Sequence, residues 1–227
     1  MRNTKKYSVK RDELQKITLS ENQVKFFKTI RNNTITFAQG PAGSSKTFTA
    51  CYSALWLLAE KKIKQIILVK PIQEAGGERL GFLPGDMAEK VDPYMESYFS
   101  NFAKIIGKSA VEFMLNTEDI IIKPLAYMRG AGYDNALIII DEAQNMDYKA
   151  LMMAITRIGY DSKIVVTGDI SQYDIRKNNV ALPKFIELMA DIPNVSSFKF
   201  EKTDIVRNPI LIEITDRYEK WKLEKNL

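Results

Sequence analysis

A doubly wound α/β fold, with a mostly parallel sheet and helices on both faces, is predicted by three observations. Short strand-like apolar runs alternate along the chain with helix-like ones, the order in which strand–helix–strand units wind a parallel sheet. Ala136-Leu137-Ile138-Ile139-Ile140 is apolar throughout, as a strand buried on both faces requires. A glycine-bearing loop separates the first strand-like run from a helix-like run.

The elements follow in order. Residues 1–17 read as a basic, polar lead-in. A helix is predicted from Glu21 to about Arg31, with Ser20 as its N-cap and Gln23 three residues on to close a capping box. Strands are predicted over 34–38, 65–70, 119–123, 136–140, 163–167 and 196–200. Helices are predicted near 46–60, 87–106, 109–116, 147–157, 181–190 and 208–222. There is no internal repeat, low-complexity tract or linker rich in Pro and Gly. The expected organisation is a lead-in (1–17), one domain (18–222) and a short tail (223–227), because 227 residues at 45% hydrophobic suit a single core. A second complete domain has no room.

Gly40-Pro41-Ala42-Gly43-Ser44-Ser45-Lys46-Thr47 reads as a phosphate-binding loop. In the G-x-x-x-x-G-K-[ST] pattern, backbone N–H groups and a helix N-terminus wrap the phosphates, the lysine adds positive charge and the hydroxyl ligates Mg²⁺. Ser45 stands where the last glycine normally stands; if φ is positive there, a residue with a Cβ costs about 1–2 kcal/mol.

A degenerate loop needs a partner carboxylate, and Asp141 supplies one at the end of the 136–140 run, where an open parallel sheet binds its ligand. Asp141 and Thr47 can share Mg²⁺, while Glu142 can polarise the water that attacks the γ-phosphate. Acidic residues also favour helix starts, but that role alone does not explain an upstream phosphate loop. A third apolar run ends in Gly168-Asp169-Ile170-Ser171-Gln172. The Gln172 amide can donate to the γ-phosphate or orient the water.

Composition excludes several classes. The chain has no histidine, so imidazole-based acid–base or nucleophilic chemistry is ruled out, and one cysteine, Cys51, supports neither a disulfide framework nor a transition-metal site. Cys51 falls on the apolar run after the loop, where a buried, inert thiol is expected. Met1-Arg2-Asn3-Thr4-Lys5-Lys6 lacks the apolar core of a signal peptide. No run approaches the ~20 apolar residues of a membrane span, so a cytoplasmic protein is expected. A net charge of +5 and a pI near 9.1 permit an anionic partner such as RNA or single-stranded DNA.

Further motifs carry a resemblance: Asn22-Gln23, Pro71 with Glu74-Ala75-Gly76, Leu80-Gly81-Phe82-Leu83-Pro84-Gly85-Asp86, Lys90-Val91-Asp92-Pro93-Tyr94, Met128-Arg129-Gly130, Thr156-Arg157-Ile158-Gly159, and Asp204 with Val206-Arg207. With the three strand-end motifs, they make residues 18–218 resemble the PhoH-like ATPases, P-loop proteins related to the first RecA-like domain of superfamily 1 helicases. Two departures stand out: Ser45 for glycine, and Lys70 where the family generally has arginine before Pro71.

The resemblance implies a RecA-like domain that binds ATP and Mg²⁺ and hydrolyses ATP beside RNA or single-stranded DNA, as a helicase-like motor. It raises a second role for Gln23, reading the adenine edge in competition with its capping role. The loop after the second strand would track a nucleic-acid backbone, with Lys70, Gln73 and Arg79 as candidates; the alternative is a subunit-packing loop in which Arg79 pairs with a neighbour's acid. Phe82 is expected as a core or interface anchor. Phosphoryl transfer to water also needs an arginine finger. It would come from the chain's own C-terminal segment or from a neighbouring subunit, and the resemblance favours the second, in a hexameric ring. Arg207 is the first candidate, with Arg157 and Arg129 as alternatives; Arg157 could instead cap its helix and Arg129 pair with an acid. Two other classes stay open, a P-loop kinase and a nucleotide-gated assembly module with little turnover. No nuclease activity is expected.

Overall fold

The structure is a computed structural model that describes residues 7–71, 87–172, 175, 179–206 and 210–225. Its sheet contains β1 (Ile35–Gln39), β2 (Gln65–Lys70), β3 (Ile120–Pro124), β4 (Ala136–Ile140), β5 (Lys163–Gly168) and β6 (Val195–Lys199). The order is β3-β2-β4-β5-β1-β6, and every pairing is parallel. Each strand lies within one residue of its predicted bounds. The order places the carboxyl ends of β4, β5 and β1 side by side, and these are the ends that carry Asp141, Gly168-Asp169 and the phosphate loop.

Side chains alternate across the sheet with the period of two that a strand imposes. Ile66 and Leu68 of β2, Leu137 and Ile139 of β4 and Val165 of β5 enter one apolar cluster with α2 (Glu21–Asn32), α3 (Lys46–Ala59), α4 (Met87–Ile106) and α5 (Lys108–Asn116). Ile67, Val69, Ile138, Ile140, Ile164 and Val166 enter a second cluster with α6 (Tyr148–Ile155) and α7 (Leu182–Leu188). All five residues of β4 are buried, which is why its sequence shows no polar alternation. α3 is apolar almost all round and buries ten of its 14 residues; each large aliphatic side chain enclosed there, such as Leu55 or Leu57, contributes roughly 1.5–3 kcal/mol.

The lead-in and the ends of three helices differ from expectation: α7 stops at Leu188 rather than 190, and the last helix runs to Lys225 rather than 222, into the expected tail. The polar lead-in contains α1 (Arg11–Gln15), whose Leu14 is fully buried and whose Leu14 carbonyl accepts from the Tyr52 hydroxyl at 3.4 Å. Its few apolar residues are too sparse to show periodicity. α6 begins after its Asp147 N-cap and stops at Ile155 rather than 157, because the amides that follow tighten to bonds three residues back: Arg157 N donates to Ala154 O at 3.1 Å and Ile158 N to Ile155 O at 3.3 Å. α8 (Ile210–Lys225) completes the described chain. Among the described residues no helix is long and apolar enough to cross a membrane.

Candidate nucleotide site

The phosphate loop leaves β1 at Gly40, where the chain has no room for a side chain. A Cβ there would lie 2.6 Å from Phe200 Cβ and 2.8 Å from the Phe200 carbonyl oxygen. The adjoining β6 backbone is close because Phe200 N donates to Gln39 O at 2.8 Å. Lys46 Nζ lies in the bowl of the loop, donating to the carbonyls of Gly40 (2.7 Å) and Pro41 (2.8 Å). Ser45 immediately precedes α3 with φ 63° and ψ 26° and makes no side-chain capping hydrogen bond. The loop therefore requires the left-handed conformation that glycine usually supplies, and the serine adopts it at a cost of about 1–2 kcal/mol.

Thr47, in the first turn of α3, donates through Oγ1 to Asp141 Oδ2 at 2.8 Å. The other Asp141 oxygen accepts from Thr167 Oγ1 at 2.5 Å. Tyr98 of α4 is buried beneath and donates to Val69 O at 2.9 Å, bracing the β2 backbone that accepts Asp141 N at 3.0 Å. Burial first, then the Asp141 charge, pushes both the Tyr98 hydroxyl and the Cys51 thiol well above their ordinary pKa values. The hydroxyl and carboxylate oxygens of Thr47 and Asp141 are the hard donors that fit Mg²⁺, which keeps most of its water and takes one or two protein ligands.

Glu142 adopts a left-handed conformation, φ 56° and ψ 35°, that turns its side chain away from the strand line. Its carboxylate accepts from Gln144 Nε2 at 2.6 Å and lies 4.0 Å from Lys70 Nζ. Lys70, expected to face nucleic acid, thus neighbours the candidate water-activating group. Just beyond β5, Asp169 N donates to Gln144 Oε1 at 3.0 Å, while Asp169 Oδ2 accepts from Ala42 N of the phosphate loop at 2.9 Å.

These groups surround a cleft of about 670 Å³ lined by Ala42, Gly43, Ser45, Lys46, Thr47, Asp141, Glu142, Asp169 and Gln172 among others. Gln23 also lines it. Its capping box is present, with Ser20 N donating to Gln23 Oε1 at 2.7 Å and Gln23 N to Ser20 Oγ at 3.3 Å. The box occupies the amide oxygen and leaves Nε2 unused among the described residues, so the capping role and a place on the cleft coexist. Val206 lines the same cleft, and its N–H donates to Gly43 O at 3.2 Å. Asn22 Nδ2 donates to Asp204 Oδ1 at 2.7 Å, tying the start of α2 to that C-terminal segment.

The finger candidates separate. Arg157 is held at the end of α6, donating through Nε to Met153 O at 3.1 Å and through a terminal nitrogen to Ala131 O at 3.2 Å; the helix-capping role expected as its alternative is the one it plays within the chain. Arg129 is exposed. Neither lines the cleft. Arg207, Gln73, Arg79 and Phe82 lie outside the described residues. Sequence reasoning assigned no role to Thr167, Asp169 or Gln144. Thr167 alone left a signal, a polar residue closing the apolar run Ile164-Val165-Val166; Asp169 and Gln144 stand among polar neighbours, and all three are at most 6% exposed.

A phosphate loop, a hydroxyl–carboxylate pair and an adjoining acid at the carboxyl edge of an all-parallel sheet define a P-loop NTPase. The chain belongs to the PhoH-like protein family, whose sequence pattern matches residues 16–219. A PhoH-like protein of Bacillus subtilis is 40% identical over 201 residues, 87% of this chain and 62% of the relative. The protein PhoH of Escherichia coli is 34% identical over 203 residues, 88% of this chain and 57% of the relative. The chain thus spans about three fifths of the length of these relatives. In fold it is similar to the large terminase of a thermophilic bacteriophage, with a TM-score of 0.57 at 10% identity, over 89% of this chain and 50% of the other.

Proposed function

We propose that this chain binds ATP with Mg²⁺ and hydrolyses it, in step with RNA or single-stranded DNA, as one subunit of a closed ring. The observation that carries the reading is the 2.8 Å bond between Thr47 and Asp141 beside Glu142 on a cleft that Lys46 also lines. Backbone N–H groups from Gly43 to Thr47 and the α3 N-terminus would hold the phosphates. Lys46 would exchange its carbonyl partners for phosphate oxygens. Thr47 and Asp141 would hold the cation, which would supply charge neutralisation for the phosphates. Glu142 would take the proton of the attacking water, and Gln172 would orient that water. The finger would come from a neighbouring subunit, with Arg207 first and Arg157 second.

Lys70, with Gln73 and Arg79, would contact the strand's phosphates. The 4.0 Å separation of Lys70 and Glu142 gives a short path from strand binding to water activation.

The test is steady-state phosphate release from Mg²⁺-ATP, with and without single-stranded RNA, single-stranded DNA and duplex, at two salt concentrations. The expected result is turnover stimulated by single strands, with stimulation that weakens at higher salt as counterion release dictates. Phosphate delivered to an acceptor other than water would make the chain a kinase, and nucleotide binding without turnover would make it an assembly module.

A further inference from the structure

Gln144 is 3% exposed, and both ends of its side-chain amide are engaged within the site. Its Nε2 donates to Glu142 Oε2 at 2.6 Å, and its Oε1 accepts from Asp169 N at 3.0 Å. Asp169, 6% exposed, then accepts from Ala42 N through Oδ2 at 2.9 Å. Its other oxygen accepts from Ser171 N (3.0 Å) and Ser171 Oγ (2.6 Å). One hydrogen-bonded line therefore runs from the phosphate loop, through the end of β5, to Glu142 at the end of β4, and it also orders the turn that leads to Gln172.

The packing leaves this amide little freedom. A Cβ at Gly168 would lie 2.9 Å from Gln144 Oε1, 3.1 Å from Gln144 N and 2.6 Å from Leu182 Cδ2, so the β5 backbone and α7 close against it. Glu142, by contrast, has a side chain 42% exposed on a left-handed backbone, and Gln144 is its closest hydrogen-bonding restraint in the site. A flexible, solvent-facing carboxylate needs such a restraint to stay aimed at one water.

We propose that Gln144 is a positioning residue: it fixes the Glu142 carboxylate relative to the phosphate loop by way of Asp169. The inference rests on the reading of Glu142 as the group that activates water. A carboxylate displaced by about 1 Å loses on the order of 10²-fold in rate, while the phosphate-binding groups themselves are untouched.

The experiment compares Gln144→Met, which keeps the side-chain volume and removes both hydrogen bonds, with Glu142→Gln and with the double variant. Each is measured for kcat, KM and the affinity of a fluorescent ATP analogue, and each is checked by thermal melting. Gln144→Ala serves as a second variant should the methionine disturb packing. The expected result is a fall in kcat of about 10–100-fold for Gln144→Met, with KM and analogue affinity within about twofold, and no further loss when it is added to Glu142→Gln, because residues acting as a unit are not additive. Wild-type kcat in both Gln144 variants, or a loss that multiplies with that of Glu142→Gln, overturns the inference while leaving the hydrolysis reading intact. A kcat loss matched by a proportional loss of analogue affinity overturns it too, since the amide would then be supporting the loop alone. Full turnover by Glu142→Gln would instead remove the water-activation reading on which the inference stands.

Discussion

Thr47 Oγ1 and Asp141 Oδ2 are joined by a 2.8 Å hydrogen bond across 94 residues of chain. The first stands at the start of α3 and the second at the end of β4, so the bond ties the phosphate loop to the neighbouring strand ends. The same two groups are the proposed metal-holding pair, and Thr167 completes the support of the carboxylate. Asp141→Asn removes the carboxylate charge and replaces one accepting oxygen with a donating amide, so the threonine hydroxyl on that side must turn from donor to acceptor and one metal-holding oxygen is lost. Turnover titrated against Mg²⁺ should show a higher metal requirement and a rate loss at least as large as the ~10–100-fold typical of disturbing a metal's supporting shell. An unchanged metal dependence would take Asp141 out of the metal site.

Lys46 and Glu142 should fail in different ways. Lys46→Ala removes the charge in the loop and is expected to abolish ATP binding, whereas Glu142→Gln is expected to bind ATP and lose turnover, general-base removal costing about 10²–10⁴-fold. Equilibrium binding of a fluorescent nucleotide beside single-turnover kinetics distinguishes the two defects. Tight binding by Lys46→Ala would show that the backbone amides suffice.

Ser45→Gly is expected to stabilise the fold and to hold or raise turnover. Relief of the left-handed conformation is worth roughly 1–2 kcal/mol, which exceeds the about 0.5–1 kcal/mol of extra chain entropy that glycine brings. Denaturant unfolding of the two proteins measures the difference. A large drop in turnover would mean that the hydroxyl contacts the nucleotide.

Cys51 is buried in α3, and burial with the nearby Asp141 charge raises its thiol pKa. The reactive thiolate is therefore scarcer at any given pH than for a free cysteine. A thiol reagent at pH 8 should leave the native protein unmodified and label it rapidly once denatured. Fast labelling of the native protein would indicate that α3 opens readily.

The ring makes a prediction of mixing. Turnover per subunit should rise with protein concentration through the assembly range. An inactive Lys46→Ala subunit should rescue an Arg207→Ala subunit, since some interfaces would pair an intact loop with an intact arginine. Rescue of Arg157→Ala and not of Arg207→Ala would move the finger to Arg157. Full activity in a stable monomer would exclude a finger in trans.

Much of the fold is local and was legible for that reason. A strand buried on both faces must be apolar throughout, as Ala136–Ile140 is, and a phosphate loop must place small residues, a lysine and a hydroxyl at fixed spacing, as Gly40 to Thr47 do. The Ser20–Gln23 capping box involves groups only three residues apart, so it too could be read from the chain. Leu14 could not, because one buried residue in a polar stretch has no period. Strand order, the burial of Thr167 and Asp169, and the partners of Gln144 were set by packing between residues distant in sequence. An amide side chain at position 144 can face water, cap a turn or hold a carboxylate equally well; only when β4, β5 and the phosphate loop are brought together does the low-dielectric interior demand that both its ends be satisfied. The same contest settled Arg157 within the chain. Its guanidinium could have reached a cleft or its own helix end, and the carbonyls of Met153 and Ala131 were the acceptors the tertiary fold placed within reach.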